Sequence, residues 1–416
     1  MTTDHTVQIF TGAHVFDGQA FIGAKDVVVT DGTITSVVPA GTAAAAESAQ
    51  SSPAPTVVDA TGKTLTPGII DSHVHVKMWD AGSLMKYAEP FSYPFYKSVV
   101  NLKATLHGGV TFARDAGHAD AGLRLALERG DIEGPKLRLA ITVMSQTGGH
   151  GDSLTPSGVP GPNSLSYPGM PTSVADGVDG VRKKAREILR AGADQIKICS
   201  TGGVMSPSDD PRHSQFTYDE IRTIVEEAEA QGTYVMAHAQ GTQGINNALR
   251  AGVRSIEHGI YLDESTIELF LDNDAYLVPT LQAPLAVIKN ADAGMPISPV
   301  AVAKARTVAQ IHAEAVARAY EAGVKIAMGT DAGVGPHGQN LEEIELMAGV
   351  GMSIEDALTA STSTAASLLR VEDRVGRIAP GLAADIVLFD GDLAQVGVGD
   401  IRQRVAAVYQ DGIQRR

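Results

Sequence analysis

The middle of the chain alternates short apolar runs with longer segments in which apolar residues recur about every 3.6 positions. The short runs predict strands, and the longer segments, such as 181–189 and 218–230, predict helices, because the two structures differ in the period of their buried positions. The predicted strands lie at about 65–71, 110–115, 137–144, 194–199, 234–238, 254–258, 275–279 and 324–330.

The joints between these helices and strands repeat one local pattern. A helix ends in a small residue and a glycine, and a strand then begins, as at Gly109, Gly192, Gly232, Gly252 and Gly323. Glycine after a helix acts as a C-cap that lets the chain turn back. Repeated units of this kind predict the α/β class, and eight of them predict a (β/α)8 TIM-like barrel with its active site at the C-terminal ends of the strands.

The two ends of the chain have a different pattern. Short β runs broken by Asp-Gly turns precede residue 66, and two further β runs, at 385–389 and 405–409, lie near the C-terminus. We therefore predict that residues 1–66 and 374–416 form a small β-sandwich from both termini. Residues 67–373 are predicted to form the barrel.

Two loop regions carry further expectations. Residues 148–172 are rich in Gly, Pro and Ser and long for a connection, which is typical of an active-site lid. Aromatic residues in this loop and around 80–98 could either line a pocket or form subunit contacts, and the sequence leaves both alternatives open. These residues are Trp79, Tyr87, Phe91, Tyr93, Phe95, Tyr96 and Tyr167.

Composition narrows the class of protein. The 416 residues include 33 Lys+Arg and 48 Asp+Glu, and the net charge of −15 argues against nucleic acid or an anionic membrane as partner. No apolar run approaches the roughly 20 residues of a membrane span, and the N-terminal residues lack the order of a secretory signal. The single cysteine, Cys199, excludes an internal disulfide. We expect a cytoplasmic protein.

Metal-binding and acidic side chains lie where the predicted strands end. His73 and His75 share one face of a strand, because side chains alternate with a period of two, so both can reach one metal ion. Four further candidates end or nearly end a predicted strand, namely Lys197, His238, His258 and Asp331. Taken singly, the histidines could be core residues and Asp331 a turn residue. At one end of a barrel, the group indicates a metal site.

Lys197 is the sharpest test of that interpretation. It lies between Ile196 and Ile198, where a charged ammonium is costly to bury. Either its side chain reaches solvent at the strand end, or its pKa is lowered so that the amine reacts with CO2 to form a carbamate. A carbamate has two oxygens and can bridge two cations. Asp71 and Glu257 lie near the histidines and are either their supporting partners or simple strand-end acids.

The set His73-x-His75, Lys197, His238, His258 and Asp331, in this order, resembles the amidohydrolase superfamily. Four segments resemble its binuclear branch, which contains Xaa-Pro dipeptidases (prolidases) and related amide hydrolases. Imidazolonepropionase-like proteins and ochratoxin-cleaving amidases are similar too. The segments are 147–152, 196–207, 336–340 and 376–385.

The resemblance implies two divalent metal ions and a small-molecule amide or dipeptide as the substrate. His73, His75 and Asp331 would hold one ion and His238 and His258 the other, with a carbamate on Lys197 between them. We expect Zn²⁺ because the donors are nitrogen and oxygen, although Mn²⁺ or Co²⁺ accept the same ligands. A hydroxide bridging the ions would attack the amide carbonyl, and Asp331 would take its proton and pass it to the leaving nitrogen.

One position departs from the pattern of the family. Some relatives carry Tyr or His two residues after the first metal histidine of the fifth strand, whereas this chain carries Gln240, which cannot act as an acid. We expect His150 to polarise the substrate carbonyl instead, its alternative being a loop residue in solvent. Gln240 can still donate a hydrogen bond to the substrate, and substrate binding is further assigned to Gln240, His337 and Arg212. Arg212 and Arg114 are candidate partners of a substrate carboxylate, unless they are surface or ion-paired arginines.

Three functions are compatible with this pattern. The leading hypothesis is a metal-dependent hydrolase of the amide bonds of dipeptides or N-acyl amino acids. The second is a hydrolase of cyclic amides or imidazolones, and the third is a non-catalytic scaffold of the same fold. The resemblance also implies a homo-oligomer. Cys199, inside a predicted strand, is expected to pack rather than to act as a nucleophile.

Overall fold

The computed structural model of the protein describes residues 5–43, 54–79, 88–154, 158–161, 165–206 and 208–416. Tyr87, residues 155–157 and 162–164 of the predicted lid loop, and residue 207 of the segment at 196–207 lie outside these ranges. Among the described residues, no helix is long and apolar enough to cross a membrane.

The chain divides into two compact units. The first comprises Met1–Asp71, Ala104–Phe112 and Gly338–Arg416, and the second comprises Ser72–Lys103 and Ala113–His337. The residue boundaries that we derived from the sequence for the β-sandwich and the barrel stay a prediction.

The strands are numbered in chain order over the described residues. They are β1 (Val7–Phe16), β2 (Phe21–Thr30), β3 (Thr33–Pro39), β4 (Thr56–Asp59), β5 (Lys63–Pro67), β6 (Ile69–Val74), β7 (Val110–Asp115), β8 (Lys136–Leu139), β9 (Val143–Met144), β10 (Ile196–Cys199), β11 (Val235–Ala239), β12 (Ser255–His258), β13 (Tyr276–Val278), β14 (Lys325–Ile326), β15 (Ile386–Asp390), β16 (Val405–Gln410) and β17 (Ile413–Gln414).

The strands of both termini belong to one eight-stranded sheet in the first unit. Its order is β17-β16-β15-β5-β1-β2-β3, with β4 paired to β1. Alternating apolar side chains of these strands form a shared core, in which the rings of Phe10 and Tyr409 meet edge to face at 4.8 Å. The N-terminal and C-terminal β runs therefore pair with one another, while their arrangement as a two-layer sandwich stays a prediction.

The remaining strands form two sheets. The larger is parallel and has the order β14-β13-β12-β11-β10-β9, and the smaller has the order β6-β7-β8. Backbone hydrogen bonds also join Ser72 to Met328 and Asp331 to His73, next to the end of β6. The mixed α/β class is as predicted, whereas closure of these sheets into one barrel stays a prediction.

Helices connect the strands. They are α1 (Tyr93–His107), α2 (Ala121–Glu128), α3 (Gly177–Arg190), α4 (Tyr218–Ala230), α5 (Thr242–Ala251), α6 (Glu264–Asp272), α7 (Gln282–Asp292), α8 (Pro299–Glu321), α9 (Glu342–Gly349), α10 (Ile354–Ala360), α11 (Ser363–Leu369) and α12 (Leu393–Val396), with a 3-10 turn at Ile401–Arg404. Local sequence explains their ends. Thr217 and Glu220 form a capping box at the start of α4, and Gly252 ends α5 with a φ of 94°.

Two predicted strands are each interrupted. The apolar run at 65–71 is divided between β5 and β6 at Gly68, where a Cβ atom would lie 2.1 Å from Thr111 Oγ1. The run at 137–144 is divided between β8 and β9 by Ile141, whose φ is 64°. Hydrophobicity alone does not reveal either break, because each depends on backbone geometry and on residues from another segment.

Candidate metal centre

His73 and His75 reach the centre from the end of β6. The strand ends at Val74, so His73 belongs to it and His75 follows it. The carbonyl of Gly117 lies 3.2 Å from His75 Nδ1, and a carboxylate oxygen of Glu257 lies 2.7 Å from His73 Nδ1. Because a carbonyl or an ionised carboxylate can only accept, both Nδ1 atoms carry hydrogen. The lone pair of each ring is therefore on Nε2.

Two further histidines are oriented in the same way. His238, in β11, directs Nε2 to the carbonyl of Gly202 at 3.0 Å, so its lone pair is on Nδ1. His258 ends β12, and its Nδ1 lies 2.7 Å from the hydroxyl of Thr280. The carbonyl fixes the tautomer of His238, whereas a hydroxyl can donate or accept, so Thr280 fixes only the direction of the His258 ring.

The imidazole rings form a continuous row. Neighbouring ring centroids are 5.4 Å apart for His75 and His73, 5.2 Å for His73 and His258, and 4.6 Å for His258 and His238. Burial holds the pKa of each ring well below its ordinary value, and the charge of Lys197 lowers it further. The rings are therefore neutral, which is the form that binds a metal.

Asp331 adds a carboxylate to this row. Its Oδ1 lies 3.4 Å from His75 Nε2 and 3.6 Å from His73 Nε2. Candidate ligand atoms of these three residues all lie within 4.8 Å of one another. The backbone of Asp331 has a φ of 58°, an unusual value for a residue with a side chain. A neutral His-His pair with a carboxylate is a donor set suited to a divalent ion.

Lys197 lies among these side chains. It is 2% exposed in β10, and its Nζ is 3.4 Å from His73 Nε2. Burial lowers the pKa of its ammonium, and the same group contributes to the lowered pKa of His73, His75, His238 and His258. Burial also raises the pKa of the nearby Cys199 thiol to about 12, which keeps that sulfur protonated at neutral pH.

Glu257 connects the histidine row to a buried arginine. Its carboxylate accepts hydrogen bonds from His73, from Arg114 Nη2 at 2.9 Å and from Ser255 Oγ at 2.6 Å. Arg114 is fully buried and also donates to the carbonyl of Ser72. Glu257 therefore has the supporting position that the sequence left open, and Arg114 is an ion-paired arginine.

His150 extends the row of rings by one. Its ring stacks on that of His238 at 4.2 Å, and its Nδ1 lies 2.7 Å from Ser206 Oγ and 3.4 Å from an oxygen of Asp209. Burial raises the pKa of Asp209, but hydrogen bonds from His150, Ser206 and the backbone of Gly203 outweigh it and hold this pKa well below its ordinary value. An ionised Asp209 thus orients the ring of His150.

A pocket adjoins the row, and its space together with the solvent open to it is about 430 Å³. Its polar wall contains His150, His238, His258 and Asp331 together with Gln240. Most of the remaining wall is apolar and is formed by residues such as Val204, Ile260, Val287, Val308 and Val334. A concave, largely apolar site with a few convergent polar groups is typical of a small-molecule pocket.

The sequence over residues 64–413 matches the model of the amidohydrolase family. The protein belongs to the amidohydrolase family. It is 33% identical over 318 residues to an ochratoxinase from Aspergillus niger, a match that covers 74% of this chain and 65% of that protein. The chain thus spans just under two thirds of the length of this curated relative.

Solved structures resemble this amidohydrolase-family protein over nearly the whole chain. A prolidase crystallised with N-methylphosphonate-L-proline is 36% identical, with a TM-score of 0.88, and the match covers 98% of this chain and 99% of that one. An Xaa-Pro dipeptidase with bound methionine is 29% identical, with a TM-score of 0.87 and the same coverage.

The predicted substrate-binding residues of this amidohydrolase-family protein do not all line the pocket. Gln240 lines the pocket, and its Oε1 is buried and accepts no hydrogen bond from the described part of the chain. His337 is half-buried with its Nε2 3.2 Å from the carbonyl of Met78, and it is not among the residues that line the pocket. Arg212 is 66% exposed and forms a two-pronged ion pair with Asp210.

Three residues that hold side chains of the candidate site were not predicted from the sequence. Thr280 holds His258, Asp209 holds His150, and His312 Nε2 lies 2.9 Å from the carbonyl oxygen of His258. Only His312 has a signal in the sequence, since it is a polar residue at a buried position of the amphipathic helix α8. The other two are short polar residues in segments where such residues are common.

Proposed function

We propose that this protein is a binuclear metal-dependent hydrolase that cleaves the amide bond of dipeptides or N-acyl amino acids. The observation that supports this best is the set of neutral imidazoles whose outer nitrogens are occupied by Gly117, Gly202, Glu257 and Thr280. Their other nitrogens are left for metal ions. Family membership and the similarity to prolidases and an ochratoxinase support the same reaction class.

The donor set fits two ions. His73, His75 and Asp331 would hold one, and His238 and His258 would hold the other. Lys197, buried with a lowered pKa, would form the carbamate shared by both. When bound, divalent ions such as Zn²⁺ lower the pKa of water and polarise a carbonyl.

The side chains of the protein would then divide the remaining work. Asp331 would accept a proton from the attacking water and deliver it to the leaving nitrogen. His150, fixed through its Nδ1, would direct Nε2 to the substrate carbonyl oxygen, with Gln240 beside it in the pocket. The apolar wall would bind an apolar group of the substrate and exclude water from the reacting atoms.

A substrate screen with metal analysis tests this proposal. The protein is loaded with Zn²⁺ in the presence of bicarbonate and incubated with dipeptides, N-acyl amino acids and cyclic amides, and products are scored by mass spectrometry. We expect two metal ions per chain and cleavage confined to linear amides with a free carboxylate. Ring opening alone would favour the cyclic-amide alternative, and a protein that binds no metal would be a scaffold.

The carbamate is tested by replacing Lys197. In Lys197→Met the side-chain volume is retained and the amine is lost, so we expect loss of shared metal binding and of nearly all turnover. Lys197→Ala should behave alike. The wild-type protein prepared in ¹³C-bicarbonate should show a carbamate carbon signal in its NMR spectrum that both variants lack. Full activity in either variant would contradict a bridging carbamate.

A further inference from the structure

Helix α8 carries a histidine in an otherwise apolar buried face. The buried residues of this helix are Ala301, Ala305, Val308, His312, Ala315, Val316 and Ala319. His312 is 1% exposed, and it also lines the pocket beside the proposed metal ligands. A polar ring at such a position is costly to bury unless it makes a specific hydrogen bond.

His312 makes that bond to a proposed ligand. Its Nε2 lies 2.9 Å from the carbonyl oxygen of His258. Because the carbonyl oxygen can only accept, Nε2 carries the hydrogen and donates it. The bond therefore joins the middle of α8 to the last residue of β12.

The backbone that His312 holds is strained. His258 has a φ of 74°, in the left-handed region that residues with a side chain rarely occupy. Thr280, which contacts the ring of His258, has a φ of 53°. Such a backbone persists only where surrounding groups fix it, and strain of this kind gathers at functional sites. His312 fixes the peptide of His258, while Thr280 fixes its ring.

We propose that His312 is a positioning residue of the metal site. By holding the carbonyl of His258, it keeps the backbone in the conformation that aims His258 Nε2 at the ion shared with His238. This inference rests on the proposed function, because it presumes that His258 binds a metal.

A matched pair of variants tests the bond. In His312→Gln the amide nitrogen can reach the place of Nε2 and donate to the same carbonyl, whereas His312→Met fills similar space without a donor. For each protein, Zn²⁺ is titrated against a competing chelator to obtain two stepwise affinities. Turnover and the unfolding of the metal-free protein are measured alongside.

We expect His312→Met to lose about 10–100-fold in affinity for one of the two ions, as is usual for outer partners of metal ligands. Affinity for the other ion should be retained, and His312→Gln should recover most of the loss. Two wild-type affinities in His312→Met would overturn the inference. So would equal losses in both variants that follow the unfolding midpoint of the metal-free protein, because they would indicate a packing role. If the wild-type protein itself bound no metal, the proposed function would fail together with this inference.

Discussion

At the scale of single residues, the proposed centre depends on which nitrogen of each histidine carries hydrogen. The carbonyls of Gly117 and Gly202 settle this for His75 and His238, and Glu257 settles it for His73. The tautomers of these proposed ligands are therefore fixed by groups that would not themselves touch the metal. Replacing those groups should affect metal binding without removing a ligand.

The buried pair of Arg114 and Glu257 gives a prediction at this scale. Arg114→Met should leave the Glu257 carboxylate buried without its cation and destabilise the fold by about 3–5 kcal/mol, the usual cost of breaking such a pair. Urea unfolding of the metal-free protein measures this. The double variant Arg114→Met/Glu257→Gln should recover part of the loss, because the uncompensated charge is gone. A single variant as stable as the wild type would contradict this account.

The sequence located the proposed ligands because each lies at or near the end of a short apolar run. Their partners could not be predicted in the same way, since Glu257 is 184 residues from His73 along the chain and Gly117 is 42 residues from His75. Arg114 shows the same limit. It was a candidate partner of a substrate carboxylate, and the folded chain pairs it with Glu257, 143 residues away.

At the scale of elements, the segment after β10 carries the contacts that place His150. Lys304 of α8 donates to the carbonyls of Gly203 and Ser206 at 3.0 and 2.8 Å, and Asp209 accepts from Ser206. The segment is thus held both by a helix and by its own acid. At Gly203 the segment packs directly against the ring of His150, because a Cβ atom there would lie 2.2 Å from His150 Cε1.

Gly203→Ala therefore gives a prediction at this scale. The added methyl group must displace the ring of His150, so we expect kcat to fall by about 10²-fold or more, within the range for a catalytic proton or hydrogen-bond donor. Metal content should be retained, because the three atoms nearest to the added methyl group all belong to His150, which is not a proposed ligand. Gly180→Ala is a matched control, since a Cβ atom there meets nothing within 4 Å and the helix interior favours alanine. Unchanged kcat in Gly203→Ala would argue against a role for His150.

Most helices and strands were predictable from local pattern. The run at 218–230 coincides with α4, and the predicted strand at 110–115 coincides with β7. The breaks at Gly68 and Ile141 were not predictable, because the first depends on contact with Thr111 and the second on a single backbone angle. Periodicity identifies buried segments, but it does not show where a hydrogen-bonded ladder stops.

At the scale of the whole molecule, buried histidines should make stability depend on pH. Burial lowers the pKa of His312 and His337 to about 4 and lowers that of the histidines in the row as well. The unfolded chain binds protons as pH falls through about 6.5, whereas the folded chain does not until lower pH. The contribution of these histidines to stability is therefore complete above about pH 6.5. It is lost as the pH falls, by up to about 1.4 kcal/mol per pH unit for each histidine.

Asp115 changes the stability with pH in the opposite direction. Burial raises the pKa of its carboxyl to about 7, so its stabilisation is lost as pH rises through that value. The effect of this single carboxyl on the pH dependence of stability is opposed by that of the six histidines. We therefore expect the free energy of unfolding of the metal-free protein to be lower at pH 5 than at pH 7. Urea titrations of the metal-free protein at both pH values measure this difference. Equal stability at the two pH values would refute this prediction.

Two residues of the proposed site, His258 and Asp331, together with the neighbouring Thr280, have left-handed backbones that cost roughly 1–2 kcal/mol each for a residue with a side chain. Glycine at any of them would relieve that cost and remove the chemistry. Directed evolution for heat resistance alone should therefore replace these positions early, and only a parallel selection for turnover would retain them.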